Sequence, residues 1–313
     1  MSSLDDSADI VIPVAGSPGI AMRVSRGRSP GPTLTILGGV HGDEFEGQLA
    51  AALIAETLGP QIERGELRVI PRANPIAAAS QTRHTPDDDK NLARCFPGSP
   101  DGTTTERIAR ALTESAVEGS DVLIDLHSAG RALKMPLMIG YDAADAHRCA
   151  PLAAAFGVPI IWEHDVIGPG RSISTAADRG IAALYVECSG GGTVRREELE
   201  ALVGGVRRVA VALGMVDGEV VDGAAPRTIR GGDGNLDASI TCSGAGIAVL
   251  FVDVAQEVAA GATLAEIRGA DGQLRESLTA PFASLVMAVR RDAPVVQGDF
   301  IAMLAPLHGA GPQ

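Results

Sequence analysis

Between Thr33 and Met215 the chain repeats one pattern: a short apolar run, then a stretch with apolar residues at helical spacing. The runs are 33–40 (TLTILGGV), 67–71 (LRVIP), 121–127 (DVLIDLH), 159–162 (PIIW) and 181–187 (IAALYVE). Helical spacing marks 46–58, 106–117, 146–156 and 195–213. Two runs, 121–127 and 181–187, are almost continuously apolar, as central strands covered on both faces must be. Such alternation predicts an α/β fold with a mainly parallel sheet flanked by helices. The polar stretch 72–104 shows no period and is expected to be a long functional loop.

After about Gly218 the texture changes. Short β-like runs (ASITC, GIAVLFVDV, TLAEIR, ASLVMAVR, FIAML) alternate with turns such as Gly231-Gly232-Asp233-Gly234 and Ala270-Asp271-Gly272. This predicts a small β-sandwich or barrel. A boundary near 216–226 divides the chain into an α/β unit over 1–217 and a β unit over 218–313. The 313 residues suffice for one large domain or two smaller ones.

Hydrophobic residues make up 45% and charged residues 21%, so disorder is expected only in the first eight residues and the tail 309–313. A net charge of −13 disfavours nucleic acid and anionic membranes as partners. The four cysteines are dispersed without a CxxC pair, which fits reduced thiols and gives no cysteine metal site. The N-terminus MSSLDDSADI has no basic and apolar leader pattern, and no apolar run approaches the ~20 residues of a membrane span. A cytoplasmic protein is expected, and a homo-oligomer is compatible with the sequence.

Four segments carry chemistry. In GGVHGDEFEG, His41 ends a strand and Glu44 lies three residues on, a spacing at which both side chains converge if the segment turns helically. In IDLHSAG, His127 ends the most apolar strand, and open α/β sheets gather ligands at the carboxyl ends of strands. Two histidines and a glutamate form a catalytic zinc set with one open position. The His41–Glu44 pair could instead be a surface hydrogen bond, and His127 could cap its strand or bond a backbone carbonyl. In YVECSGGG, Glu187 leaves a buried strand on the same rim, where a carboxylate serves as general base or else pairs with Arg171 or Arg179. In SQTRHTPDDDKNLARCFPG, Arg83, Asn91 and Arg94 are polar anchors; guanidinium groups grip carboxylates and polarise carbonyls, and solvated charge is the plainer alternative. A phosphate-binding loop at Gly38-Gly39 is disfavoured, because the Lys and Ser/Thr of that motif are missing.

Together these segments resemble the succinylglutamate desuccinylase/aspartoacylase family, a branch of the zinc carboxypeptidase-like fold, across residues 33–215. The resemblance implies one zinc ion per chain on His41, Glu44 and His127, with Glu187 as general base and Arg83 polarising the scissile carbonyl. Arg94 and Arg171, in its Arg-Ser pair with Ser172, would bind the substrate carboxylate, with Asn91 nearby. The implied activity is hydrolysis of an amide or ester bond in a small N-acylated amino acid. Where the family often has Asn-Arg, this chain has Ala93-Arg94, so the carboxylate clamp lacks one amide donor. That difference is compatible with the N-acetylated diamino acids of ectoine breakdown, which parts of the family use. Two other readings stay open at this point: a metallocarboxypeptidase acting on peptides, and a non-catalytic binding protein that keeps the fold.

Overall fold

The computed structural model describes residues 7–219, 225–236 and 239–307. The first ten strands are β1 (Ser7–Ile12), β2 (Ile20–Arg26), β3 (Ser29–Gly38), β4 (Arg64–Ile70), β5 (Val122–Leu126), β6 (Leu133–Lys134), β7 (Met138–Asp142), β8 (Ile160–His164), β9 (Ala182–Glu187) and β10 (Arg227–Arg230). All but β6 join one nine-stranded sheet in the order β1-β2-β4-β3-β5-β9-β7-β8-β10. The central pairs β4/β3, β3/β5 and β5/β9 are parallel. Strands β1, β2 and β4 pair antiparallel at one end. At the other end β7 runs antiparallel to β9 but parallel to β8, and β10 extends that parallel pairing.

The helices are α1 (Phe45–Thr57), α2 (Pro75–Ser80), α3 (Thr104–Leu112), α4 (Ala146–Phe156), α5 (Ser172–Ala177) and α6 (Arg196–Ala212). Helices α1, α4 and α6 cover one face, where Ile54, Phe156 and Val206 pack with Ile36, Ile124 and Leu184. Helices α3 and α5 cover the other, where Ile108, Leu112 and Ala176 meet Leu37, Leu123 and Ala183. Every residue of β5 is buried, which is why its sequence reads as an unbroken apolar run apart from Asp125. Each fully buried aliphatic side chain of this kind contributes about 1.5–3 kcal/mol.

The remaining strands are β11 (Ile240–Thr241), β12 (Gly246–Leu250), β13 (Glu257–Val258), β14 (Thr263–Arg268), β15 (Leu274–Thr279), β16 (Ser284–Arg290), β17 (Pro294–Val295) and β18 (Phe300–Pro306). They form two antiparallel sheets, β11-β18-β16-β13 and β15-β14-β12-β17. The two share apolar clusters, with Ala265 and Ile267 of one packing against Ile301 and Ala302 of the other.

Several features depart from the sequence expectations. The stretch 72–104 contains α2 and a 3-10 turn at Leu92–Arg94. Asn74 caps α2 by accepting the Ala77 N–H at 3.1 Å, and Pro75 follows at the first helical position, where its missing N–H costs nothing. Strands β1, β2, β7 and β10 had no counterpart in the periodicity. β10 lies beyond 217 yet completes the large sheet, while β6, before 217, pairs with β16. Part of the expected boundary region (220–224), residues 1–6 and the tail 309–313 lie outside the described residues; Ser7 and Ala8, expected to be disordered, open β1. Among the described residues no helix is long and apolar enough to cross a membrane.

Candidate metal centre and active site

His41 follows β3, Glu44 is the N-cap residue of α1, and His127 follows β5, its N–H continuing the ladder to Val186 O at 2.8 Å. Since β3 and β5 are parallel neighbours, their carboxyl ends place the two histidines side by side, with ring centroids 5.2 Å apart. Gly47 lets α1 settle onto this edge: a Cβ at that position would overlap the carbonyl oxygen of Leu126. One nitrogen or oxygen atom from each of His41, Glu44 and His127 lies within 4.8 Å of the others. All three residues are buried.

The hydrogen bonds define what occupies the middle of this cluster. Asn91 Oδ1 accepts the Ala93 N–H at 2.9 Å, which fixes the amide orientation, and it also faces His41 Nε2 at 2.9 Å. His41 therefore carries its proton on Nε2 and turns a bare Nδ1 lone pair toward Glu44 Oε1, 2.6 Å away. Burial and the Arg83 charge lower the His41 pKa, so the imidazole stays neutral. Two acceptors facing each other at this distance require positive charge between or beside them. Arg83 supplies it in this structure, with Nη1 3.1 Å from Glu44 Oε1 and 3.4 Å from His41 Nδ1. The other oxygen, Glu44 Oε2, meets His127 Nδ1 at 2.9 Å and accepts the Ser128 N–H at 3.2 Å. His127 Nε2 is 3.1 Å from Asp125 Oδ2, and Asp125 in turn accepts the Ser172 hydroxyl. Burial opposes a charged His127, but the Asp125 and Glu44 carboxylates outweigh it and raise its pKa well above the usual range. Burial likewise opposes the Glu44 carboxylate, yet the two imidazoles hold its pKa well below that of a free acid. Two Nδ1 atoms and a carboxylate converge, and each distal Nε2 is oriented by an oxygen acceptor. This is the donor set and outer support that divalent zinc sites use.

A cavity of about 80 Å³ opens beside the cluster. At ~10–15 Å³ per water it has room for roughly five to eight waters, a size suited to a small ligand. Its walls include His41, His127, Glu187, Arg83, Arg94 and Arg171. Glu187 ends β9 next to His127, and burial pushes its carboxyl up to about 8, against the opposing pull of the His127 charge. Among the described residues its Oε2 has no hydrogen-bond partner. Arg179, a candidate partner in the sequence, is engaged by Glu118 at 3.3 Å and Thr175 O at 2.9 Å.

All eight site residues read from the sequence thus gather at one place. Six line the cavity, and Glu44 lies just behind it. Asn91 also belongs to the cluster, but its amide oxygen faces His41 and the Ala93 N–H. Asp125, Ser128, His164 and Tyr185 had not been singled out in the sequence, and Ser172 only as the neighbour of Arg171. Asp125 had one usable signal: it precedes His127 by two residues on a strand, so both side chains leave the same face.

The layered sheet and the acceptor cluster at its rim define a mixed α/β fold of the zinc carboxypeptidase-like type. Residues 30–213, more than half of the chain, match the profile of the succinylglutamate desuccinylase/aspartoacylase catalytic domain, and the chain belongs to that family. It is similar to the crystal structure of succinylglutamate desuccinylase/aspartoacylase from Rhodobacter sphaeroides, at 27% identity and a TM-score of 0.85, covering 96% of this chain and 95% of that one. It is also similar to the product-bound ectoine utilization protein EutE (DoeB) from Ruegeria pomeroyi, at 28% identity and a TM-score of 0.84, covering 93% and 90%. In sequence it is 36% identical over 198 residues to the N-alpha-acetyl-L-2,4-diaminobutyric acid deacetylase of Halomonas elongata. That match covers 62% of this chain and 58% of the relative's length.

Proposed function

We propose that this chain is a cytoplasmic, zinc-dependent hydrolase that cleaves the acyl–nitrogen bond of a small N-acylated amino acid. The observation that carries this reading is the set of acceptors on His41, Glu44 and His127, with Glu187 Oε2, unpartnered among the described residues, on the same cavity. His41 Nδ1, His127 Nδ1 and a Glu44 oxygen would hold the ion. Zinc at such a site supplies a Lewis acid for a carbonyl and lowers the pKa of water to about 7.

The chain's own residues do the rest. Glu187 Oε2 takes a proton from the attacking water and later returns it to the leaving nitrogen. A carboxyl pushed up to about 8 lies close enough to neutral pH for both its protonated and its ionised form to be populated. Arg83 stabilises negative charge on the carbonyl oxygen, a contribution typically worth ~10²–10³ in rate. Arg94 and Arg171 bind the carboxylate of the amino-acid part. Asn91 and Asp125 hold His41 and His127 in orientation. The small cavity favours this reading over a carboxypeptidase acting on peptides. The Halomonas elongata relative and the missing amide donor at Ala93 both support an N-acetylated diamino acid as the first substrate to test.

The test is a hydrolysis screen of N-acetyl, N-succinyl and N-formyl amino acids with and without chelator. Turnover should vanish with chelator and return with zinc. Glu187→Gln should abolish turnover while the protein still binds one equivalent of metal. Full activity in that variant, or activity indifferent to chelator, contradicts the assignment.

A further inference from the structure

Tyr185 precedes Glu187 by two residues on β9, so both side chains leave the same face of the strand, and both line the cavity. The neighbouring strand β7 makes room for the phenol ring with Gly140, where a Cβ would overlap the ring edge. Tyr185 Oη lies 2.7 Å from Nε2 of His164, the last residue of β8. The His164 ring packs on Trp162 at 4.4 Å and on Tyr185 at 5.7 Å between centroids. Gly234 closes over it, and a Cβ there would come within 2.5 Å of the imidazole. Two glycines from distant parts of the chain thus make space for one imidazole–phenol pair.

The hydrogen bonding of this pair is asymmetric. His164 Nδ1 is buried with no partner among the described residues. Burial and the Arg171 charge push the His164 pKa down to about 3, so the ring is neutral and has a single N–H. With that proton on Nδ1, a buried donor would be stranded. With it on Nε2, His164 donates to Tyr185 Oη and only a lone pair is left over. Buried donors without a partner are rarer than buried acceptors without one. The second arrangement leaves the Tyr185 proton free, and among the described residues no other acceptor lies within hydrogen-bond reach of Oη. Tyr185 lines the cavity together with Arg171, so an acceptor on a bound ligand can take that proton.

We infer that the Tyr185 hydroxyl, held in place by His164, is a further substrate-binding donor that shares with Arg171 one carboxylate oxygen of the acylated amino acid. The inference rests on the acyl-amino-acid reading above. Tyr185 acts on the substrate directly; His164 is a positioning residue acting through Tyr185.

The experiment compares wild type, Tyr185→Phe, His164→Leu and His164→Gln on one N-acyl amino acid that the wild type hydrolyses, with melting temperature recorded for each. A hydrogen bond to a charged group is worth about ten- to hundredfold in binding. Tyr185→Phe is therefore expected to raise KM by at least about tenfold with kcat within about twofold. His164→Leu should do the same. His164→Gln, whose side-chain amide can donate from near the Nε2 position, should bring KM back to within about threefold of wild type. Competitive inhibition by the decarboxylated product amine, which lacks the anion, should show the same Ki in wild type and Tyr185→Phe. An unchanged KM in Tyr185→Phe, a loss confined to kcat, or an equal weakening of the amine overturns the inference while the hydrolase reading stands. A wild type that hydrolyses no acyl amino acid removes both.

Discussion

A carboxylate held between two imidazoles and away from water is costly unless a cation joins it. At Glu44 the cost is met from two sides in this structure: Arg83 reaches Oε1, and a charged His127, whose Nε2 faces Asp125, donates its Nδ1 proton to Oε2. A divalent ion would take over both roles and displace that proton. The outer partners matter because a ligand imidazole is only as well aimed as the group on its far nitrogen. Asp125→Asn keeps the size of the side chain but removes the negative charge facing His127 Nε2. It should weaken zinc affinity by about 10–100-fold, measured by competition with a calibrated chelator. An affinity equal to wild type would show that Asp125 has no part in aiming the ligand. Much of this level was legible in the sequence. His41, Glu44, His127 and Glu187 stand at the ends of apolar runs, where a polar residue stands out. Asp125, His164 and Tyr185 were not, because they sit inside or beside runs that read simply as strand, and their partners come from other parts of the chain. The pairing of Asn91 with His41 spans 50 residues and left no signal in the sequence.

Long, strongly patterned elements were readable, and short or edge elements were not. Helix α4 falls on its expected bounds, and α1 and α6 shift by one residue at each end, since their apolar faces meet a continuous sheet. Strands β5 and β9 were equally clear, being covered on both faces. β1 is an exposed edge with the burial pattern of a surface strand. β7 has only five residues with a glycine at its middle, and β10 has four with a single buried one. Neither length supports a period. Helix α2 could have been found from its cap, because Asn74-Pro75 followed by small apolar residues is a helix-start signal. The element most sensitive to one substitution is α1. Gly47→Ala drives a methyl group into the Leu126 carbonyl, next to His127. The expected result is a loss of about 1–3 kcal/mol in chemical denaturation, with weaker metal binding because Glu44 begins this helix. Stability and metal affinity both at wild-type level would mean that α1 does not need this close approach.

At the scale of the molecule, the change in texture near residue 217 marks a change of architecture but not a break in the core. Met138, Ile160 and Trp162 of the large sheet share one apolar cluster with Ile229, Leu285, Met287 and Met303 from beyond it. β6 and β10 cross in opposite directions between the two parts. Asp233, Gly234 and Leu236 also complete the cavity wall. We propose that both parts unfold together. Calorimetry should show one transition with matching calorimetric and van't Hoff enthalpies; two resolved transitions would assign each part its own stability. In a chain of net charge −13 the cavity brings three arginines, Arg83, Arg94 and Arg171, together beside Asp125, Glu187 and Asp233.

The claim on which all of this depends is that His41, Glu44 and His127 share one divalent cation. The direct measurement is metal content by elemental analysis of purified wild type beside His41→Ala, Glu44→Ala and His127→Ala, each loaded with zinc and then freed of excess. The account predicts about one zinc per wild-type chain and almost none in any of the three variants, with all four proteins folded by circular dichroism. One zinc retained in all three variants, or none in the wild type, would contradict it.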